Sequence, residues 1–412
     1  MAQTTTSYSN IQTPQQHKDI IEIINQESNL MSIFKPANKV KFKGENQFEI
    51  PIKYKQPETY VGTSETMTEP TTITGSSYAK AYETMQTTLG VIEWNREALN
   101  EINGGDHVAR VNTVKAEVEG LLATVAADEE MFLLGSGSGA FATVVSVSGQ
   151  TVTVDDNQFI REGMVFDGYD ASDNQDLDGI VVSSVNLANN TFIAAGTLSS
   201  ADAATVLYKE GAWVTGLNNH PNGLETMVAA TGTLHGIDRT TTSAYYRSTV
   251  TNGASAGTNE NITFKRVLAT LNPIYKGRRK NNQFVNLALL GIDEHEAFHS
   301  LLISRNTPVD TIPMIDGFPE TFAYRFGEFK IGIHALGKCQ PNTCWFLNND
   351  NFGIIDLGME WIKDGATGTP PMYKVTGSMV WRSYLNWVHQ YFTLNPNLSG
   401  RMNDINGYTE MT

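Results

Sequence analysis

Cysteine is nearly absent from this chain. Cys339 and Cys344 are the only two in 412 residues, too few for a disulfide framework and without the second pair a four-thiolate zinc site needs. Long apolar runs are missing as well. None approaches the roughly 20 residues that span a bilayer, so no membrane segment is expected. The opening Met1-Ala2-Gln3-Thr4-Thr5-Thr6 lacks a basic region followed by an apolar one, and no secretory signal is expected. Basic residues are in deficit, with 29 Lys and Arg against 44 Asp and Glu and a net charge of −15. Tight binding to nucleic acid draws on clustered Lys and Arg. The one dense basic run is Lys276-Gly277-Arg278-Arg279-Lys280, read either as a solvated loop tip or as a subunit contact. Repeats and low-complexity linkers are lacking too, and no Ser/His/Asp or Cys/His constellation can be assembled from spacing.

What is present describes a folded, multi-domain protein, expected to be soluble and intracellular, with 40% hydrophobic and 18% charged residues. Residues 1–37 are polar apart from Ile20-Ile21-Glu22-Ile23-Ile24, an arm that has no core of its own and must dock on something else. In residues 38–75, Val40, Phe42, Phe48, Ile50 and Ile52 are interleaved with Lys41, Lys43, Glu49 and Lys53 around a Gly44–Gln47 turn. That period of two predicts a two-stranded hairpin, and its scarcity of large residues predicts that it projects rather than forming a core. Gly104-Gly105 then breaks the chain and Asp106 is placed to cap a helix. Val111, Val114, Val118, Leu121, Leu122, Val125 and Phe132 recur at helical spacing up to Leu134, where Gly135 ends it. This predicts a spine of about 28 residues, ~42 Å long, with one apolar face.

Residues 137–213 change character. Six short β segments (143–147, 151–154, 164–166, 180–185, 191–194 and 205–208), separated by turn residues, predict a small barrel or sandwich inserted in a loop. Residues 214–371 mix helices and strands. A helix follows Asn261-Ile262-Thr263, Val285–Leu290 reads as a buried strand, Asp293 caps a further helix, and 328–333 and 343–347 read as strands. The class is α+β. Finally, Met379–Phe392 alternates as a long aromatic strand, expected to return and pack on the spine.

Three motifs invite chemical readings. His295-Glu296-Ala297-Phe298-His299 fits the His-Glu-x-x-His pattern of zinc peptidases, in which both imidazoles share a helix face and the Glu serves as base. The extended form would need Gly and His where Leu302 and Arg305 stand, and a distal Glu320 or Glu328 is the remaining third ligand. Asn174–Gly179, with Asp176 and Asp178, resembles the front of a calcium loop, but Val185 occupies the position of its bidentate Glu. Gly135-Ser136-Gly137-Ser138-Gly139 follows a helix, whereas a phosphate loop follows a strand. All three are read as structural, with no catalytic residue, metal or cofactor expected.

The order of parts is more telling than any motif. Polar arm, hairpin, spine helix ending in Phe132-Leu133-Leu134-Gly135-Ser136-Gly137, α+β region entered at Gly216-Leu217, the strand Gly327–Ile333 and a returning aromatic strand together resemble the major capsid proteins of tailed bacteriophages, which share the Hong-Kong-97-type fold. The resemblance covers nearly everything outside 137–213. It implies an N-terminal arm (1–37), an extended loop (38–75), a peripheral domain with the spine helix (76–136, completed by 372–412), an inserted β domain (137–213) and an axial domain (214–371). It implies a virion structural protein, not an enzyme, that assembles into pentamers and hexamers of an icosahedral shell enclosing double-stranded DNA without sequence-specific binding. A separate scaffolding protein, a portal protein and a decoration protein are the implied partners, with no membrane, and the host cytoplasm is the implied place of synthesis. Phe42, Lys43, Phe48, Lys53 and Lys55 of the hairpin and Arg278, Arg279 and Lys280 of the basic run are the candidate inter-subunit contacts. Covalent cross-linking through Lys53 or Lys55 is not expected, because nothing around them marks a catalytic Glu. The competing readings are a zinc-dependent hydrolase using His295, Glu296 and His299, and a surface-array or adhesive protein.

The charge divides unevenly. Residues 137–213 hold ten acids and two bases, Arg161 and Lys209, for a net −8, which leaves −7 on the other 335 residues. An acidic module facing solvent on a milder assembly core is the expectation.

Overall fold

The computed structural model describes residues 30–31, 34–36, 41–44, 47–55, 75–95, 107–196, 198, 204–212, 220–240, 246–254, 258–277, 283–304, 310–312, 321–362, 373–374 and 380–407. After the short strand β1 (Lys35–Pro36) come β2 (Lys41–Gly44) and β3 (Gln47–Lys55), paired antiparallel with Phe42 opposite Phe48. The expected hairpin is therefore present, but it is not two-stranded. β4 (Ser77–Thr84) adds along the whole of β3, with Ile50 opposite Ala81 and Lys53 opposite Tyr78. Nor is it without a core: Phe48 is fully buried and Ile50 nearly so, both in the main hydrophobic cluster. The alternation does put Phe48 and Ile50 on one face, and that face rests on the body of the molecule.

β5 (Gln86–Asn95) leads to α1, which runs His107–Leu134, 28 residues as expected. Gly135 N–H still bonds the Met131 carbonyl, and the helix stops there. The last turn differs from the single apolar face expected. Met131, Phe132, Leu133 and Leu134 are all buried, because the helix ends between two cores: Met131 and Phe132 pack into one cluster, Leu133 and Leu134 into another.

Next comes a closed six-stranded barrel of β6 (Ala140–Ser148), β7 (Thr151–Val154), β8 (Val165–Tyr169), β9 (Gln175–Asn186), β10 (Thr191–Ala194) and β11 (Val206–Lys209). Around the barrel the order is β10-β7-β6-β11-β8-β9. Bulges at 144–146, 193–194 and 207–208 bend its strands, as closure of so small a sheet requires. Inward residues such as Val152, Phe166, Phe192 and Leu207 form a third cluster, with Phe166 and Phe192 edge to face at 5.4 Å.

Beyond the barrel, a tight hairpin of β12 (Thr233–Leu234) and β13 (Ile237–Asp238) precedes β14 (Thr249–Thr251). α2 spans Phe264–Gly277, and Thr263 Oγ1 accepts the Arg266 N–H at its start. β15 (Leu287–Leu290) leads into α3 (Ile292–Ser304). Asp293 does not cap α3. The Gly291 carbonyl already accepts from His295 N–H, so Asp293 lies inside the first turn, where an acid suits the helix dipole. β16 (Asp310–Ile312), β17 (Thr321–Phe326), β18 (Phe329–Ala335) and β19 (Cys344–Leu347) follow. The chain closes with β20 (Phe352–Trp361), β21 (Tyr373–Lys374), β22 (Val380–Thr393) and β23 (Gly400–Met402).

Two large sheets organise the body. A seven-stranded sheet runs β14-β23-β19-β15-β18-β17-β16. Its central strand β15 is buried at every position, because Leu287 and Leu289 enter the main cluster while Ala288 and Leu290 enter a second one. A strand covered on both faces reads as a continuous apolar run. The other sheet is built on β22. β5 pairs with residues 380–389, β20 with 385–393, β21 with 381–382, and β1 adds parallel to β20. α1 crosses this sheet so closely that a Cβ on Gly90 would stand 3.2 Å from Leu121. Hydrogen bonding crosses the boundaries expected along the chain. β1 and β20 join the sheet of the returning strand, while β23 joins the seven-stranded sheet, because strand pairing follows space and not sequence.

Candidate functional site

The hairpin sheet has an anchored root. Glu83 on β4 lies 2.9 Å from His235 Nδ1, and that ring accepts the Thr393 N–H at Nε2, so Nδ1 carries the proton donated to Glu83. The His235 carbonyl takes the Tyr82 N–H, and Gln390 Nε2 donates to the Thr84 carbonyl. Phe48 packs beside His235 and Phe392 at 6.2 and 6.0 Å between ring centres. Phe48 is therefore not an inter-subunit contact; it is a core residue holding the hairpin to its own chain. The opposite face is open. Tyr78 is 67% and Tyr82 52% exposed, Lys53 Nζ stands 5.8 Å over the Tyr78 ring, and Lys80 pairs with Glu49 at 2.7 Å. Of Phe42, Lys43 and Lys55 the backbone alone is described, within β2 and β3. Arg278, Arg279 and Lys280 lie outside the described residues.

Two buried carboxylates at the end of α1 were not anticipated. Glu129 is fully buried. It accepts from Thr88 Oγ1 at 3.2 Å and from Tyr391 Oη at 3.3 Å, and lies 3.0 Å from His389 Nε2. The His389 ring stacks on Trp387 at 3.7 Å. Through these bonds the returning strand packs on the spine as expected, but by a buried hydrogen-bonded carboxyl group rather than by aromatic contact alone. Burial, with Glu129 beside it, drives the Tyr391 hydroxyl well above its ordinary pKa. Asp128 binds Arg161 and Lys209, the only two bases of residues 137–213, so the barrel is clamped to the spine. A signal did exist: Asp128-Glu129-Glu130 crowds three acids near a helix C-terminus, where the dipole disfavours them. Only partners from elsewhere can hold them, here including Lys338 at 3.7 Å from Glu130.

The chemical motifs fall apart as sites. His295 is half-buried on α3, while Glu296 and His299 are exposed. Glu328 sits in the turn between β17 and β18, Glu320 lies outside the described residues, and no group of three metal-ligating side chains occurs among the described residues. Burial lowers the pKa of His295, and burial together with the nearby His295 holds that of His334 down to about 4. Asp176 and Asp178 stand on β9, both outward, with Leu177 turned inward. They accept from Thr205 and Gln175 respectively and do not converge. The glycine run serves a crossing of chains: a Cβ on Gly139 would stand 2.2 Å from His220, and one on Gly223 would stand 2.0 Å from the Gly135 carbonyl. Cys339 and Cys344 are buried thiols whose pKa values burial raises.

The site is thus an anchored three-stranded sheet with an exposed aromatic face, beside a spine helix and a seven-stranded sheet. No protein-family model and no curated protein matches the sequence. Among solved structures the chain is similar to the cyanophage A-1(L) capsid asymmetric unit, at 14% identity over 91% of this chain and 92% of that one, with a TM-score of 0.49. It is likewise similar to a chain from the capsid of an empty GTA particle (8% identity, 92% and 90% covered, TM-score 0.44) and to one from Mycobacterium phage Patience (10%, 96% and 88%, 0.43).

Proposed function

We propose that this chain is a virion structural protein of the Hong-Kong-97 type, which self-assembles into an icosahedral shell around double-stranded DNA. The observation that carries this reading is the hairpin sheet. Its root is locked into the body by Phe48, Glu83 and His235, while its outer face leaves two tyrosines open to solvent. Three strands with one covered face gain stability when a neighbour covers the other face. Repeated around rings of five and six, such heterologous contacts multiply weak interactions into a closed shell. Retention of DNA by enclosure needs no basic groove, which fits a net charge of −15. In this reading residues 137–213 are an inserted module facing solvent, and scaffolding, portal and decoration proteins are partners made with it in the host cytoplasm. A hydrolytic role has no support in the arrangement of His295, Glu296 and His299.

The test is co-expression with the scaffolding protein of its own gene cluster, followed by sedimentation and negative-stain microscopy. Closed particles are expected. Monomers or small oligomers alone, with scaffold present, would falsify the proposal.

A further inference from the structure

Arg239 carries a positive charge into the interior and meets no negative one there. We propose that Arg239 and Tyr246 form a binding site for a free phosphate ion, beneath the turn at Thr231-Gly232 that leads into β12. The proposal does not depend on the shell reading and is tested on the unassembled chain.

Arg239 follows β13 and is only 2% exposed. Backbone carbonyls alone hold its guanidinium. Nε donates to the Gly232 carbonyl at 3.3 Å, and Nη1 donates to those of Thr226 and Ala229 at 2.8 and 3.1 Å. These bonds fix the plane of the fork and leave Nη2 over. Among the described residues no carboxylate pairs with it. The acids close by are engaged elsewhere: Glu225 with Arg401 at 3.4 Å, Asp238 with the Thr240 N–H at 2.7 Å, and Glu83 with His235. Arg247 adds a second positive charge to the same segment, and it too binds carbonyls, those of Arg239 and Thr240. A buried charge is ordinarily paired. Burial without a counter-charge brings the pKa of Arg239 down to about 10.

Tyr246 offers the second donor. It is 3% exposed, its ring lies in the main cluster, and its hydroxyl is buried with no hydrogen-bond partner. Burial raises the pKa of that hydroxyl, so it keeps its proton, and Arg239 and Glu83 both lie within electrostatic reach of it. A buried hydroxyl with nothing to donate to and a buried cation without an anion, within reach of each other, complement an oxyanion that accepts from both. The way in is short. Gly232 is exposed at a φ of 83°, and a Cβ there would stand 3.8 Å from Arg239 Nη2. The free end of the guanidinium therefore lies just under the surface. A small ion can reach it. A phosphate held in a duplex backbone cannot, which favours the free ion over nucleic acid.

The experiment is equilibrium dialysis of the full chain against labelled inorganic phosphate at fixed ionic strength. One ion per chain is expected, with a dissociation constant of about 1 mM, displaced by sulfate and not by chloride. Tyr246→Phe is expected to weaken binding about tenfold, the loss of one hydrogen bond to a charged group. Without phosphate it should leave the thermal midpoint unchanged or higher, since the hydroxyl it removes has no partner. Arg239→Lys keeps the charge but not the fork and is expected to weaken binding by at least as much. No uptake at phosphate concentrations up to about 20 mM overturns the proposal. So does uptake that Tyr246→Phe leaves unchanged, which would place the ion elsewhere. Because Tyr246→Phe removes only an unpartnered hydroxyl, the test survives even if Arg239→Lys fails to fold.

Discussion

The barrel and the hairpin sheet are both β excursions from one body, yet they solve the edge problem in opposite ways. The barrel closes on itself, fills its interior with Phe166, Phe192 and Leu207, and leaves no free edge. The hairpin sheet has three strands, borrows its core from the body through Phe48 and Ile50, and keeps one face exposed. The closed element meets the body at the end of α1, through Met131, Phe132 and Asp128. An open one is incomplete until something covers it. In this chain the acidity sits on the closed element and the exposed tyrosines on the open one.

The sharpest way to break this comparison is a pair of core truncations. Phe192→Ala and Phe48→Ala should each cost about 3–5 kcal/mol, but in different places. Hydrogen exchange is expected to show the first losing protection within 140–209 alone, and the second losing it in 47–55 and 77–84 with the barrel intact. Loss spread over both regions in either variant would mean that they fold as one unit.

Acid offers a second contrast. Residues 140–209 hold no histidine, whereas β18 carries His334, held to about 4 by burial and the nearby His295. An unfolded imidazole takes up its proton near 6.5, so unfolding binds a proton between those values and stability falls as pH drops from about 6.5 to about 4. The seven-stranded sheet should loosen through this window while the barrel stays protected, and His334→Gln should flatten the loss in urea midpoint measured across it.

Asp128→Asn sharpens the link between the two regions. Arg161 and Lys209 lose their counter-charge, at about 2 kcal/mol, and the barrel should show independent tumbling by relaxation measurements without losing its fold. The smallest effect is expected at the open face. Lys80→Ala removes an exposed pair with Glu49 and should change the unfolding free energy by no more than about 0.5 kcal/mol.

Much of the architecture was legible because local rules and tertiary context agreed. The spine was bounded by Gly104-Gly105 and Gly135, and the barrel strands fell within a few residues of their alternation. β20 was missed because Gly353, Gly358 and a shift of register at 356–359 interrupt its period of two. The hairpin's alternation gives the correct faces but not which of them meets the body, which is why Phe48 stands among the candidate inter-subunit contacts. The acids of α1 signal by their crowding that they have partners, but not which ones. Their partners stand at 161, 209 and 389, at separations no local pattern reports, and an acid on a helix is by default assigned to solvent.

The crossing of Gly139 with His220 and of Gly223 with the Gly135 carbonyl brings the two ends of the barrel segment to one point on the body. Chain leaves and re-enters through a single doorway, and what lies beyond it meets the body through Met131, Phe132 and Asp128 at the end of α1. That makes the position a natural graft junction: a foreign domain whose termini lie side by side could replace 140–212, provided the glycines are kept and two cations are supplied for Asp128. The same doorway lets the barrel be exchanged without moving the strands of the two large sheets, none of which lies within it.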